Sequence, residues 1–358
     1  MTDRLRVGII GCGVGRAHAR GYARHPRAEI VAVADINPDR CRRITDEIPV
    51  PRVYTRYEEM LACDDIDAVS IALPNFLHAP AAIAALEAGK HVLIEKPLAM
   101  TAEEGKAMVD AARRTGRKLM ICFNYRFRGD SQAVKRQVEA GTLGEVYYTR
   151  AGWLRQTGIP GIGSWFTDKS LSGGGPLIDL GVHVLDLAVW LMGSPEPISA
   201  SGSTYAKFGP RGRGGWGGER FTVGEGGFSV EDMATGYVRF ANGATLSLEV
   251  SWASFTSHRD DYYVHLFGDE GGIELNVREY GFDENVRLFH EVAGVYTESR
   301  PHYDHGGGHA EAVAAFVDAI LEDREPCPSG EDGLRILRII DALYRSAEAG
   351  HEVTIDPA

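Results

Sequence analysis

Two hydrophobic patterns divide the chain. Up to about residue 124, short unbroken apolar runs alternate with segments of helical period. The runs are Arg6–Ile10, Glu29–Ala34, Ala68–Leu73, His91–Glu95 and Lys118–Phe123. Between them Arg16–Arg24, Pro38–Glu47, Tyr57–Cys63 and Ala79–Ala88 read as helices. Thr101 opens another as a capping box with Glu104, and Gly116 closes it. A strand apolar at every position is covered on both faces. Such strands separated by helices predict a doubly wound parallel sheet.

Beyond residue 125 the pattern changes. Helix Ser131–Ala140 precedes a strand over Glu145–Trp153. The bend Ser172-Gly173-Gly174-Gly175-Pro176 leads into a helix predicted over Leu177–Met192. Alternating segments follow at 198–206, 234–240, 244–252, 261–267, 272–277 and 286–290, with Asn242-Gly243 as a hairpin signal. Helices over His309–Glu322 and Glu331–Ala349 end the chain, the latter stopped at Gly350. The prediction is an α/β chain: a dinucleotide-type domain over 1–124, and an α+β domain over 125–358 built on a large, mainly antiparallel sheet. The last helix is a candidate to pack at the junction.

Composition narrows the function classes. In 358 residues, 38 Lys+Arg against 50 Asp+Glu give a net charge of −12, the wrong field for phosphate backbones. Pro210–Gly218, rich in Gly and Arg, superficially suggests an RNA-binding tract, but on an acidic chain it reads better as a loop or lid near a site. Five scattered cysteines with no C-x-x-C pair argue against disulfide or zinc frameworks and fit a reducing compartment. Met1–Arg6 lacks a leader's apolar stretch, and Pro74, Asn75, His78 and Pro80 break the uncharged run 69–86. The expectation is a cytoplasmic protein without nucleic-acid or membrane partners.

The chemistry begins between the first strand and helix. Gly11-Cys12-Gly13-Val14-Gly15-Arg16 stands where a dinucleotide fold needs glycines to seat a diphosphate at a helix N-terminus. The third glycine of G-x-G-x-x-G would fall at position 16, occupied by Arg16; Gly15 comes one residue early. Asp35, about 20 residues on, ends the second strand, where a carboxylate accepts both ribose hydroxyls of NAD and repels the 2′-phosphate of NADP. NAD is therefore preferred over NADP, although Arg40 leaves NADP open.

Glu95-Lys96-Pro97 after the strand that begins at His91, Leu73-Pro74-Asn75-Phe76-Leu77-His78, and Gly173–Asp186 with its Asp179-x-x-x-His183 spacing complete a set. Together with the glycine turn, these segments resemble the Gfo/Idh/MocA family of NAD(P)-dependent oxidoreductases. The resemblance runs from Arg6 to about residue 193 and is weaker beyond. It implies a Rossmann domain, an open C-terminal sheet used for homodimer or homotetramer contacts, and a Lys–Asp–His constellation on Lys96, Asp179 and His183. It also implies that Leu73, Pro74, Asn75, His78, Glu95 and Asn124 border the cofactor with Gly11, Gly13, Val14 and Gly15.

The expected reaction moves a hydride between a secondary alcohol of a sugar, cyclitol or sugar derivative and the nicotinamide. His183, neutral near pH 7, is the expected acid/base. Asp179, at i−4 on one helix face, would orient it. Lys96 would stabilise the developing alkoxide and relay a proton, or itself be the base. Two alternatives share these motifs: a redox-neutral NAD-dependent enzyme that cleaves glycosides, and a non-catalytic NAD-binding regulator. Softer candidates for substrate or nicotinamide contact are Tyr125, Arg126 and Trp165; Asp186 suggests structure. His302, Asp304, His305 and His309 are suggestive of a metal, but Gly306–Gly308 separates them flexibly, so no metal is expected and His305 or His309 is read as a substrate contact.

Overall fold

The computed structural model describes residues 4–223 and 227–356. Residues 1–3, which the leader argument used, lie outside that range. The chain runs through β1 (Leu5–Ile10), α1 (Gly15–Arg24), β2 (Ala28–Ala34), α2 (Pro38–Thr45), β3 (Arg52–Tyr54), α3 (Tyr57–Leu61), β4 (Ala68–Ile71), α4 (His78–Glu87), β5 (His91–Ile94), α5 (Ala102–Thr115) and β6 (Leu119–Ile121). These six strands form one parallel sheet in the order β3-β2-β1-β4-β5-β6. Chain direction across the sheet reverses between β1 and β4. The carboxyl ends of the strands at that switch are where doubly wound folds bind ligands.

The strands with no polar side, such as Ala68–Ile71, are buried at every residue, as their unbroken apolar pattern requires. β3 escaped the sequence reading because it is three residues long and sits at the sheet edge with Val53 exposed. At α5 the Thr101 hydroxyl accepts the Glu104 amide at 3.2 Å. The Glu104 carboxylate reaches back to the Met100 amide, one residue before the position a reciprocal capping box uses. Gly116 ends the helix at φ +64°.

The second half continues through α6 (Gly129–Glu139), β7 (Val146–Arg155), α7 (Lys169–Ser172), α8 (Val182–Leu191), β8 (Pro197–Tyr205), β9 (Met233–Phe240), β10 (Thr245–Ser251), β11 (Asp260–Gly268), β12 (Gly271–Arg278), β13 (Val286–Val292) and β14 (Val295–Ser299). Helices α9 (His309–Leu321) and α10 (Gly330–Ala349) and the short β15 (Val353–Thr354) close the chain. The nine-stranded sheet has the order β14-β13-β12-β11-β7-β10-β9-β8-β15. It is mainly antiparallel, as expected, but β7 and β10 pair in parallel, Tyr148 opposite Thr245 through Leu154 opposite Ser251. The β9–β10 hairpin forms at Asn242-Gly243: Gly243 takes φ +89° and the Asn242 side chain accepts the Ala244 amide.

By packing, the chain separates into residues 1–127 with 307–334, and 128–306 with 335–358. This differs from the expected single boundary at 124/125, because α9 joins the first unit. Its Ala312, Val313, Phe316 and Val317 are fully buried in one apolar cluster with Val7, Ile9, Ala19, Tyr22 and Val33. An amphipathic helix does not say in its own sequence which sheet it will cover. The helical run Lys169–Leu191 is long and apolar enough to cross a membrane, but 83% of its apolar window is buried within the protein, the signature of a core helix.

Candidate active site

In the first unit the glycine turn leaves β1 and enters α1. Gly11 stands at φ +85°, and a Cβ there would lie 2.3 Å from the Ala72 carbonyl oxygen, so only glycine fits. Around Gly13 a Cβ would meet nothing within 4 Å, leaving the backbone open to a ligand. A Cβ on Gly15 would come 2.8 Å from Ile9 of β1. Gly15 therefore performs the close helix–strand packing that the fingerprint assigns to its third glycine. The early spacing is accommodated because α1 starts at Gly15 itself. No side chain caps α1, whose N-cap is the exposed Val14.

Asp35 follows β2 and is almost fully buried. One carboxylate oxygen accepts the Cys12 amide at 2.8 Å and the other the Asn37 amide at 2.8 Å. It thus ties the glycine turn to the start of α2, with lone pairs remaining for ribose hydroxyls. Arg40 lies 4.0 Å from the same carboxylate. The Cys12 and Cys41 sulfurs stand 3.6 Å apart beside it as free thiols, and burial pushes both thiol pKa values up. An open glycine cradle, an uncapped helix start and a fixed carboxylate fit a dinucleotide diphosphate and ribose.

Lys96 follows β5, and Glu95 before it is the centre of a buried knot. Its carboxylate oxygens take His18 Nε2 at 2.8 Å, His309 Nε2 at 3.3 Å and the Lys96 amide at 3.2 Å. The Cys122 sulfur lies in the same cluster. Burial opposes the charge, but the bonds from His18 and His309 outweigh it and hold the Glu95 carboxyl well below its ordinary range. Burial and the adjacent carboxylate push the Cys122 thiol well up. Ligand-type atoms of His18, Glu95, Cys122 and His309 all lie within 4.8 Å of one another. Mutual hydrogen bonds already account for that proximity. Sequence reasoning placed His309 in a different cluster, with His302, Asp304 and His305. His302 and His305 are exposed, and His305 stacks on Phe282 and tilts against Tyr303. His18 was missed altogether, since a histidine inside a predicted helix carries no signal of its partner.

Asn75 and His78 sit on the way into α4, both buried. Leu73 and Pro74 lead there from β4, and Asn124 and Tyr125 open a short turn after β6, half-buried. Arg126, expected toward substrate, is buried in an ion pair with Asp332 at 3.6 Å and packs over Phe123.

In the second unit the predicted helix over Leu177–Met192 is not uniform. Leu177–Gly181 is a π-turn, and the regular helix α8 begins at Val182. The turn is held from outside. Glu231 accepts the Gly175 and Leu177 amides, each at 3.0 Å, and the Tyr344 hydroxyl at 2.9 Å. Gly175 is forced, since a Cβ would fall 2.0 Å from the Glu231 carbonyl oxygen. Asp179 lies in the widened turn and accepts Trp252 Nε1 at 2.9 Å. His183 lies in the first turn of α8, buried, with its ring 5.8 Å from Trp153. Trp153 in turn bonds Asp260, which also holds Arg155. These β-strand partners have no motif to reveal them. Asp186 is buried one turn further along, and Trp165 stacks on Phe166. The loop expected as a lid contains Trp216, half exposed above Arg155 at 4.8 Å.

Comparison with known proteins decides the family. A profile described as "Oxidoreductase family, NAD-binding Rossmann fold" matches residues 5–123, and its companion "Oxidoreductase family, C-terminal alpha/beta domain" matches 135–355. The chain belongs to the Gfo/Idh/MocA oxidoreductase family. It is 35% identical to D-glucoside 3-dehydrogenase of Escherichia coli strain K12, over 99% of this chain and 98% of that protein. It is 33% identical to levoglucosan dehydrogenase of Pseudarthrobacter phenanthrenivorans, over 96% of each. Among solved structures, a levoglucosan dehydrogenase complexed with NADH superposes with a TM-score of 0.85 at 28% identity, covering 99% of this chain and 100% of that one. As a Gfo/Idh/MocA protein, the chain is an NAD-dependent oxidoreductase.

Proposed function

We propose that this oxidoreductase oxidises a secondary alcohol of a sugar, cyclitol or sugar derivative, with Lys96, Asp179 and His183 as its working side chains. The bound nicotinamide supplies the hydride acceptor. His183 takes the hydroxyl proton as the C–H bond breaks, and returns it in the reverse reaction. The Lys96 ammonium stabilises the alkoxide as charge grows on oxygen. Asp179, with one oxygen pinned by Trp252, is set to orient and polarise the imidazole. The observation that carries this reading is the Lys96 turn itself. A buried, multiply bonded carboxylate grips the Lys96 amide at the carboxyl end of β5 and bonds His18 of α1, the helix that the open glycine cradle begins.

The names of the relatives, which act on a glucoside and on levoglucosan, support glycosides of glucose as the first substrates to try. We also place the protein in the cytoplasm, as a homodimer or homotetramer associating through the nine-stranded sheet. Exposed Tyr147, Tyr205 and Tyr237 on β7, β8 and β9 support that face. The test is a panel of glucosides, anhydrosugars and inositols, following NADH in solution and any released aglycone. Accumulating NADH supports the dehydrogenase. Aglycone release without net NADH would replace it with the redox-neutral glycoside-cleaving reaction. Neither signal, with NAD bound, would point to a regulator.

A further inference from the structure

His78 has an unusual pair of partners. It is 1% exposed, at the first residue of α4. Its Nδ1 lies 2.7 Å from the Pro97 carbonyl oxygen and its Nε2 2.8 Å from the Leu73 carbonyl oxygen. Both partners are acceptors only. A neutral imidazole has one N–H and satisfies one of them; only the imidazolium, with two, satisfies both. The two carbonyls belong to different loops. Leu73 lies on the loop leaving β4, and Pro97 directly follows Lys96 on the loop leaving β5. β4 and β5 are neighbouring parallel strands, and both loops leave from their carboxyl ends.

We propose that His78 is a positioning residue, a protonated clamp that joins the Leu73 and Lys96–Pro97 loops and links NAD binding to uptake of a proton. The inference rests on the reading that these loops border the cofactor. Its charge is poised rather than permanent. Burial pushes the His78 pKa below its ordinary value, while the two carbonyls and the Glu95 carboxylate pull it back up and the Lys96 ammonium pushes it down. Glu95 and Lys96 both act from the β5 turn. Asn75, Phe76, Leu77 and the first turn of α4 bring no charge. When the proton leaves, one of the two carbonyls loses its donor deep in the protein, and its loop loses an anchor. If the clamped form binds NAD more tightly, then by reciprocity NAD binding raises the proton affinity of His78.

The test is calorimetry of NAD binding to the full chain in buffers of different ionisation heat, from about pH 5 to pH 8, the range of histidine titration. The wild-type protein is expected to take up a fraction of a proton per NAD, with affinity falling roughly tenfold as pH rises through the window. His78→Asn, which keeps a donor but cannot titrate, is expected to bind with no uptake and a flat profile. Histidine 15N resonances of the NAD-bound wild type, which need no variant, should show two protonated ring nitrogens for His78. A neutral ring there, no uptake by the wild type, or equal uptake by His78→Asn would overturn the proposal. An imidazolium with no uptake would likewise overturn it, since the proposed link to the cofactor would be absent. NADH production from the substrate panel tests the proposed reaction separately, so the two readings fail independently.

Discussion

The Lys96 turn and the His183 helix start are held by opposite means. At Lys96 the grip is polar: a buried carboxylate gathers His18, His309 and the Lys96 amide itself, with the Cys122 sulfur in the same cluster. At His183 it is mostly steric. Gly175 admits no side chain, a π-turn sets the approach to α8, and Trp153 packs beside the imidazole, with Glu231 as a charged anchor of the turn. A site secured by charge answers to pH and to loss of a proton acceptor. A site secured by fit answers to volume. The same enzyme should therefore fail differently at its two candidate catalytic side chains.

The largest expected effects ignore that difference. Lys96→Met and His183→Ala each remove a group that acts in the transition state, and turnover should fall by about a hundredfold or more. Steady-state kinetics should show this while NAD affinity, measured by calorimetry, changes little. Equal losses in both would mean that the residues hold the cofactor rather than the reacting hydroxyl.

Next come the supports. Gly175→Ala should cost about 1–3 kcal/mol in denaturant unfolding, because the added methyl has nowhere to go. Its cost comes from volume and should vary with pH less than the loss at Glu95 does. Glu95→Gln should behave in the opposite way. A carboxyl held well below its ordinary pKa contributes stability above the unfolded value, near pH 4.3, and loses it as pH falls toward the folded one. The wild type should lose stability across that acid range, and Glu95→Gln should lose less of it. Thermal melts from about pH 3 to pH 7 compare the two slopes. Parallel slopes would erase the contrast between the sites.

A smaller effect belongs to cofactor choice. Asp35→Ala, with Arg40 kept, should shift preference toward NADP by about tenfold, a single charge-assisted contact. The ratio of kcat/KM for the two cofactors reads it, and an unchanged ratio would remove Asp35 from the ribose site. The smallest is Thr101→Ala, which should cost about 1 kcal/mol of stability through the lost helix cap and leave the kinetics alone.

How much of this was legible in the residues follows from the same contrast. Unbroken apolar runs announced the parallel sheet, and Asn242-Gly243 announced the β9–β10 hairpin of the other sheet, because each is a local consequence of local sequence. The glycine turn was legible because the tight turn at Gly11 and the close packing at Gly15 are local demands. The knot around Glu95 was not, since His18 and His309 come from helices far apart in the chain. The destination of α9 was equally hidden: its apolar face fits any sheet. Nor does a regular apolar pattern reveal a π-turn at Asp179, which Glu231 imposes from 52 residues away along the chain. The parallel pairing of β7 with β10 depends on topology, which alternation alone does not encode.

The account stands on hydride transfer from a carbinol carbon, and deuterium at that carbon tests it most directly. Wild-type protein, NAD and the best sugar from the panel, labelled at the oxidised carbon, should yield reduced nicotinamide carrying one deuterium and accumulating in solution, with Lys96→Met and His183→Ala yielding almost none. Reduced nicotinamide without the label, or label retained in the sugar while an aglycone is released, would contradict it.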